Sequence, residues 1–214
     1  MEALDAIRAR RSVGRLSEPA PSDHDMRLIL EAAAVAPDHG ELRPWRFVVL
    51  RGAAKDAFGQ VLGDAFLTRC QTRGVSHTDG QLAKERTKLG RAPLVVVVAA
   101  IRRASATIPW EEQFAAGAAA AQNALIAATD LGFGSMWRTG SVAYDNHVKA
   151  ALGLTMQDAI VGFLYLGTAQ PDVAKPPHEP DLEGLIEYWQ PPDQPAMPAR
   201  VTKRPTTTSR HDPA

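Results

Sequence analysis

The strongest pattern in the chain is the stretch from Phe114 to Leu131, whose only polar residues are Gln122, Asn123, Thr129 and Asp130. Nearly every face of a helix drawn through it is apolar, which predicts a helix packed all round, in the core or in a subunit interface. Gly117 and the alanines at 118 to 121, 124, 127 and 128 leave little side-chain volume, so another helix or a flat ligand can approach its backbone closely. Pro109-Trp110-Glu111-Glu112 opens this helix and sets two carboxylates in its positive first turn. Gly132 fits the left-handed position that ends a helix without a Cβ penalty. From Gly134 to Gly140 a serine, a large aromatic, a guanidinium and a Thr-Gly pair follow in quick succession. On these residues alone, a helix cap followed by a core strand is preferred to a backbone shaped around a ligand.

The same reading predicts short helices over 3–11, with Leu4 and Ile7 inward, and 23–35, where Ser22 caps and Met26, Ile29, Leu30 and Ala33 form a buried stripe. Further helices are expected over 53–73, 79–89 and 145–152. In the second of these Lys84, Glu85, Arg86 and Lys88 read as a solvated face. Buried strands are expected at 45–50, at 93–101 with its four consecutive valines, and at 159–167. The loop Asp38 to Pro44, with Asp, His, Glu and Arg, has the charge variety of a site rim as well as of a solvated turn. Residues 181–189 predict a last helical turn or a docking arm. From Gln190 onward the Pro-, Thr- and Arg-rich sequence predicts an extended or disordered tail, with Lys203, Arg204 and Arg210 solvated. One domain over 1–190 and a tail over 191–214 are therefore expected.

Composition narrows the function mainly by exclusion. Over 214 residues Lys+Arg and Asp+Glu both total 24, so no whole-chain basic field recruits nucleic acid or anionic lipid. Cys70 is the single cysteine, which excludes an intramolecular disulfide and multi-cysteine metal sites and predicts a cytoplasmic protein. The longest apolar run, 92–101, contains Pro93 and is far short of the roughly 20 residues that cross a bilayer. The N-terminus carries Glu2, Asp5, Arg8, Arg10 and Arg11 and offers no apolar signal-peptide core. The histidines at 24, 39, 77, 147, 178 and 211 never fall at metal-ligand spacing, so no metal is expected. Phosphate-loop, dinucleotide-fingerprint and nucleophile-elbow signatures are absent. Such a chain suits chemistry carried by a bound cofactor, with the polypeptide supplying position and electrostatics.

Three separated stretches, taken together, resemble the nitroreductase family of FMN-dependent oxidoreductases, and within it the small bacterial NAD(P)H nitroreductases. They are Arg10-Arg11-Ser12; Ala36-Pro37-Asp38-His39 through Pro44-Trp45-Arg46-Phe47; and Gly132-Phe133-Gly134 through Trp137-Arg138-Thr139-Gly140, followed by Val161 to Gly167. The resemblance covers about residues 1–190. It implies an α+β sandwich, a mainly antiparallel sheet flanked by helices, built as an intertwined homodimer with two FMN sites at the interface. It further implies that Arg10, Arg11 and Ser12 hold the FMN phosphate and that Val35, Pro37 and His39 reach the flavin of the partner subunit. By the same resemblance Trp137, Arg138, Thr139 and Gly140 line the isoalloxazine, and Ala127, Ala128, Thr129, Asp130, Leu131 and Gly132 lie near the bound nicotinamide nucleotide. Guanidinium forks match a phosphate dianion, which gives the first assignment a physical reason.

The implied activity is hydride transfer from NAD(P)H through flavin N5 to a nitroaromatic, quinone or similar small-molecule acceptor in a ping-pong cycle, with no residue acting as a covalent catalyst. An FMN-binding carrier or redox-sensing protein is the alternative. The chain departs from the family pattern where Glu41 and Arg43 occupy positions that are Asn and Gln in many relatives. It departs again at Arg15, which lies one step later than the usual basic residue, with Gly14 in its place.

Overall fold

The structure, a computed structural model, describes residues 2–104, 107–170, 180–189 and 191. The chain divides into two units, residues 1–177 and 178–214. In the first, β3 (Leu94–Ala100) lies at the centre of the sheet because its seven residues are all buried and none of its side chains is polar. It pairs antiparallel with β2 (Trp45–Arg51) on one side and with β5 (Ala159–Ala169) on the other. Strand β4 (Gly134–Arg138) and the two-residue β1 (Leu16–Ser17) add to β5, again antiparallel.

Alternation along β3 and β5 divides the core between two faces. Leu94, Val96, Val98, Ala100, Leu164 and Leu166 pack against α2 (Asp23–Ala34) and α5 (Trp110–Asp130), where Ala120, Ala121, Ala124 and Ala128 present almost no side chain. Val95, Val97, Phe163 and Tyr165 point to the opposite face and meet Phe58, Leu62 and Ala65 of α3 (Ala53–Arg73) and Val148 of α6 (Asn146–Ala151). A capping box of Ser22 and Asp25 starts α2, as the sequence predicts for Ser22. Asn123 of α5 donates from Nδ2 to the Ala32 carbonyl of α2 at 3.1 Å, which ties the two helices together.

Helix α4 (Asp79–Thr87) begins at a Thr78–Gln81 capping box and continues as a tighter turn over Lys88–Arg91. It lies close on α3 because Gly59 and Gly63 offer no side chain there. A Cβ at either position would collide with Arg86. The remaining helix, α1 (Ala3–Ala9), is short and buries only Ala6; Leu4 and Ile7, expected inward, are exposed.

The sequence predicts α5 packed all round, in the core or in a subunit interface; this chain alone buries Gln113, Ala116, Gly117, Ala120, Ala121, Ala124, Leu125 and Ala128 and leaves Phe114 and Ala115 exposed. Among the described residues α2, the sheet and, less extensively, α1 pack against it. The expectation of a buried strand at 45–50 is corrected: among the described residues β2 is an edge strand paired with β3 alone, with Val49 39 % exposed.

In the second unit the described residues form one turn, Leu185 N–H to the Leu182 carbonyl at 3.1 Å, with Glu183 N–H donated to Asp181 Oδ1 at 2.9 Å. The helical turn expected over 181–189 is limited to that. The tail from 192 onward, with Lys203, Arg204 and Arg210, lies outside the described residues. Among the described residues no helix is long and apolar enough to cross a membrane.

Candidate active site: a cationic cavity beside β4

Helix α5 ends in a left-handed Gly132, φ +85°, whose reversal feeds the chain directly into β4. That strand forms the scaffold of the site. The segment after α1 runs beside it, with Val13 N–H donated to the Ser135 carbonyl at 2.9 Å and a parallel bridge between Ser12 and Ser135. Two of the sequence stretches that carry the resemblance, far apart in the chain, are thereby brought together. At their junction lies a cavity of about 550 Å³, lined by Ser12 and by the run Met136 to Val142. Its floor is Phe163 and Tyr165 of β5, so it opens on the α3 side of the sheet.

Its far wall is α4 and the turn beyond it. Lys84, Lys88 and Arg91 stand at spacings of four and three residues, which places them on one helical stripe facing the cavity. Glu85, the single acidic residue of the lining, is ion-paired with Lys88. With Arg138 on the near wall, cations outnumber anions four to one around the space. An adjoining cavity shares Lys84, Lys88 and Arg91 and adds Arg15, which extends the positive surface. Arg138 donates from Nε to Met136 Sδ at 3.0 Å. Trp137 donates from Nε1 to the Val161 carbonyl at 3.2 Å, and the absence of a side chain at Gly162 makes room for its indole. Burial pushes the Tyr165 phenol above its ordinary value, against the opposing pull of Arg138 and Arg91.

The residues singled out in the sequence divide into two groups. Ser12, Trp137, Arg138, Thr139 and Gly140 line the cavity. Arg10 and Arg11 do not; Arg11 turns back on its own helix, donating from Nη1 to the Arg8 and Arg10 carbonyls. Ala127 to Gly132 close α5 on the opposite face of the sheet, where Ala128 is buried among core residues and Thr129 Oγ1 donates to the Leu125 carbonyl at 2.9 Å. Val35, 78 % exposed, and the exposed Pro37 and His39 lie outside this cavity in their own chain. His39 is held by Glu112 at the start of α5, Nδ1 to Oε2 2.7 Å. The loop around it is backbone-strained, with positive φ at Glu41 and Arg43, and is braced by Arg43 N–H donated to Asp38 Oδ2 at 2.5 Å.

Lys84, Lys88, Arg91, Phe163 and Tyr165 were missed as site residues. The Lys84–Lys88–Arg91 periodicity carried a signal, because a solvated helix does not need its cations on one stripe. Among the described residues no cluster of three or more His, Cys, Asp or Glu could hold a metal ion.

Comparison with known proteins agrees with the architecture. The nitroreductase family model matches residues 7–168. The Escherichia coli K12 protein named "Putative NAD(P)H nitroreductase YdjA" is 36 % identical over 190 residues, 88 % of this chain and 100 % of its own length. Among solved structures, a nitroreductase-like protein from Bacillus cereus superposes with TM-score 0.73 at 22 % identity, over 89 % of this chain and 97 % of its own. A Desulfovibrio desulfuricans protein described as "a putative nitroreductase in complex with fmn" superposes with TM-score 0.65 at 28 % identity, over 89 % of this chain and 99 % of its own. The fold is thus a nitroreductase-like α+β sandwich. The chain belongs to the nitroreductase family.

Proposed function

We propose that this protein is an FMN-dependent oxidoreductase that uses NAD(P)H to reduce small acceptors such as nitroaromatics or quinones. The observation that carries the reading is the cavity beside β4, which gathers Ser12 and Trp137 to Gly140 with a surplus of cations over an aromatic floor. FMN combines a flat apolar ring with a phosphate dianion, and the lining fits both. Phe163 and Met136 offer apolar surface, while the Ser12 hydroxyl, Lys84, Lys88, Arg91 and Arg138 are all donors. The volume of about 550 Å³ lies within the range of cofactor pockets. When bound, FMN would supply the hydride chemistry that links oxidation of NAD(P)H to reduction of the acceptor in a ping-pong cycle. The chain's part is to hold the cofactor, to set its potential through nearby cations, and to exclude water.

A homodimer completes the reading. The uncovered side of α5 with Phe114, the edge strand β2 with Val49, and an apolar groove of about 720 Å³ between α2 and β2, lined by Met26, Leu30, Phe47 and Val49, leave apolar surface that a second copy would bury. Val35, Pro37 and His39 would then reach the partner's cavity, and the segment Ala127 to Gly132 would lie towards the nicotinamide nucleotide. Arg10 and Arg11 would touch the FMN phosphate only across such an interface or after a side-chain rearrangement.

An anaerobic absorbance experiment tests the function. The purified protein is expected to be yellow, to release FMN on denaturation, to bleach with NADPH, and to recover its colour when a quinone is added. A protein that stays colourless after incubation with FMN overturns the reading. One that bleaches but passes no electrons to quinones or nitroaromatics is the carrier alternative.

A further inference from the structure

Tyr165 is the single residue with a polar side chain in the run Ala159 to Gly167. It occupies the middle of the sheet, opposite Val95 of β3 and Met136 of β4, so its backbone is fixed on both sides. Its side chain is 4 % exposed, and what it reaches is the cavity, where it shares the lining with Ser12, Arg91 and Arg138. Among the described residues its phenol O–H has no hydrogen-bond partner. The ring is buried but its hydroxyl oxygen faces the open cavity, and a phenylalanine would satisfy the packing against Val95, Val97 and Leu62 equally well. The hydroxyl therefore contributes nothing to this core.

On the FMN reading above, we infer that Tyr165 is a further cofactor-binding residue, its O–H donated to an oxygen of bound FMN. A donor on the rigid floor of the cavity complements the cations on its walls. The floor donor is directional and neutral, and it fixes where an oxygen sits. Lys84, Lys88 and Arg91 supply charge on flexible stems. Two kinds of FMN oxygen could accept: one of the ring or ribityl chain, or one of the phosphate.

Tyr165→Phe separates a binding role from a packing role, because the two move different quantities. Titration of the FMN-free proteins with FMN should show roughly three- to tenfold weaker binding for the variant. Thermal unfolding of the FMN-free variant should occur at the same temperature as wild type or higher, since no protein hydrogen bond is lost. Repeating the titration with riboflavin locates the acceptor. A loss that persists assigns a ring or ribityl oxygen, and a loss confined to FMN assigns the phosphate. Equal FMN affinity in the two proteins, whatever their stability, overturns the inference and leaves the FMN reading intact. Failure of the wild-type protein itself to bind FMN overturns both.

Discussion

The two faces of the central sheet are made by alternate residues of the same strands, yet one is closely packed where it meets α5, its apolar groove lying aside between α2 and β2, and the other holds the cationic cavity. Towards α5, Leu164 and Leu166 meet a helix of alanines, and the backbones approach until no space remains. Towards α3, Phe163 and Tyr165 meet larger side chains, and α4 stands off β4 with its cationic stripe turned into the gap. Small residues therefore close one side, and large ones hold the other open. A binding site in a small domain needs this asymmetry, because the closed face supplies the stability against which the open face can carry unpaired donors and surplus positive charge.

The most severe test falls on the closed face. Leu164 is fully buried, and Leu164→Ala removes three carbons where alanine neighbours cannot move in to replace them. A loss of about 2–5 kcal/mol is expected in urea unfolding. If the faces are as independent as their packing implies, the folded fraction should still bind FMN with wild-type affinity. A loss below about 1 kcal/mol would mean that the alanine face is not tightly packed.

Asp158 offers an intermediate test that touches neither face. It is buried where β5 begins, accepting from Arg102 N–H at 2.9 Å through Oδ1, and from Thr155 N–H at 2.7 Å and Thr155 Oγ1 at 2.8 Å through Oδ2. Burial pushes its carboxyl up, but the hydrogen bonds from Thr155 and Arg102 and the charge of Arg46 outweigh this and hold it below the ordinary 3.8. Because the folded value is depressed, the stabilisation is complete above the ordinary value and is lost as pH falls through the lower one. Asp158→Asn puts an amide donor against donors and should cost about 1–3 kcal/mol at neutral pH. The gap between variant and wild type should narrow in unfolding measurements below the ordinary carboxylate value. A gap of equal size at acid pH would mean that ionisation of Asp158 does not contribute.

The closed face was the more legible in sequence. The four valines of β3, the alanines of α5 and the Gly132 cap are local patterns, and each predicts its own element. The open face is assembled from residues distant in the chain, and only tertiary placement turns Lys84, Lys88 and Arg91 from a solvated helix face into a cavity wall. Strand β1, two residues long, has no periodicity to read. The edge position of β2 is only hinted at by Arg46 within an otherwise apolar run, and edge status depends on what pairs beside it.

The smallest expected effect is the most informative about the site. Sequence resemblance assigns Arg10, Arg11 and Ser12 jointly to the FMN phosphate, whereas only Ser12 lines the cavity within the chain. Ser12 is exposed, and its contacts with β4 are made through the backbone, so Ser12→Ala should leave stability within about 0.5 kcal/mol of wild type. The loss of one hydroxyl donor should weaken FMN binding by a few-fold, roughly the worth of a single hydrogen bond. Arg10→Ala measured beside it decides how the phosphate is held. Equal losses in the two variants would mean that the cations of α1 reach the cofactor, as an interface between two copies would allow. A loss in Ser12→Ala alone would assign the phosphate to the α4 stripe and Arg138, and the open face of a single chain would then suffice to bind it.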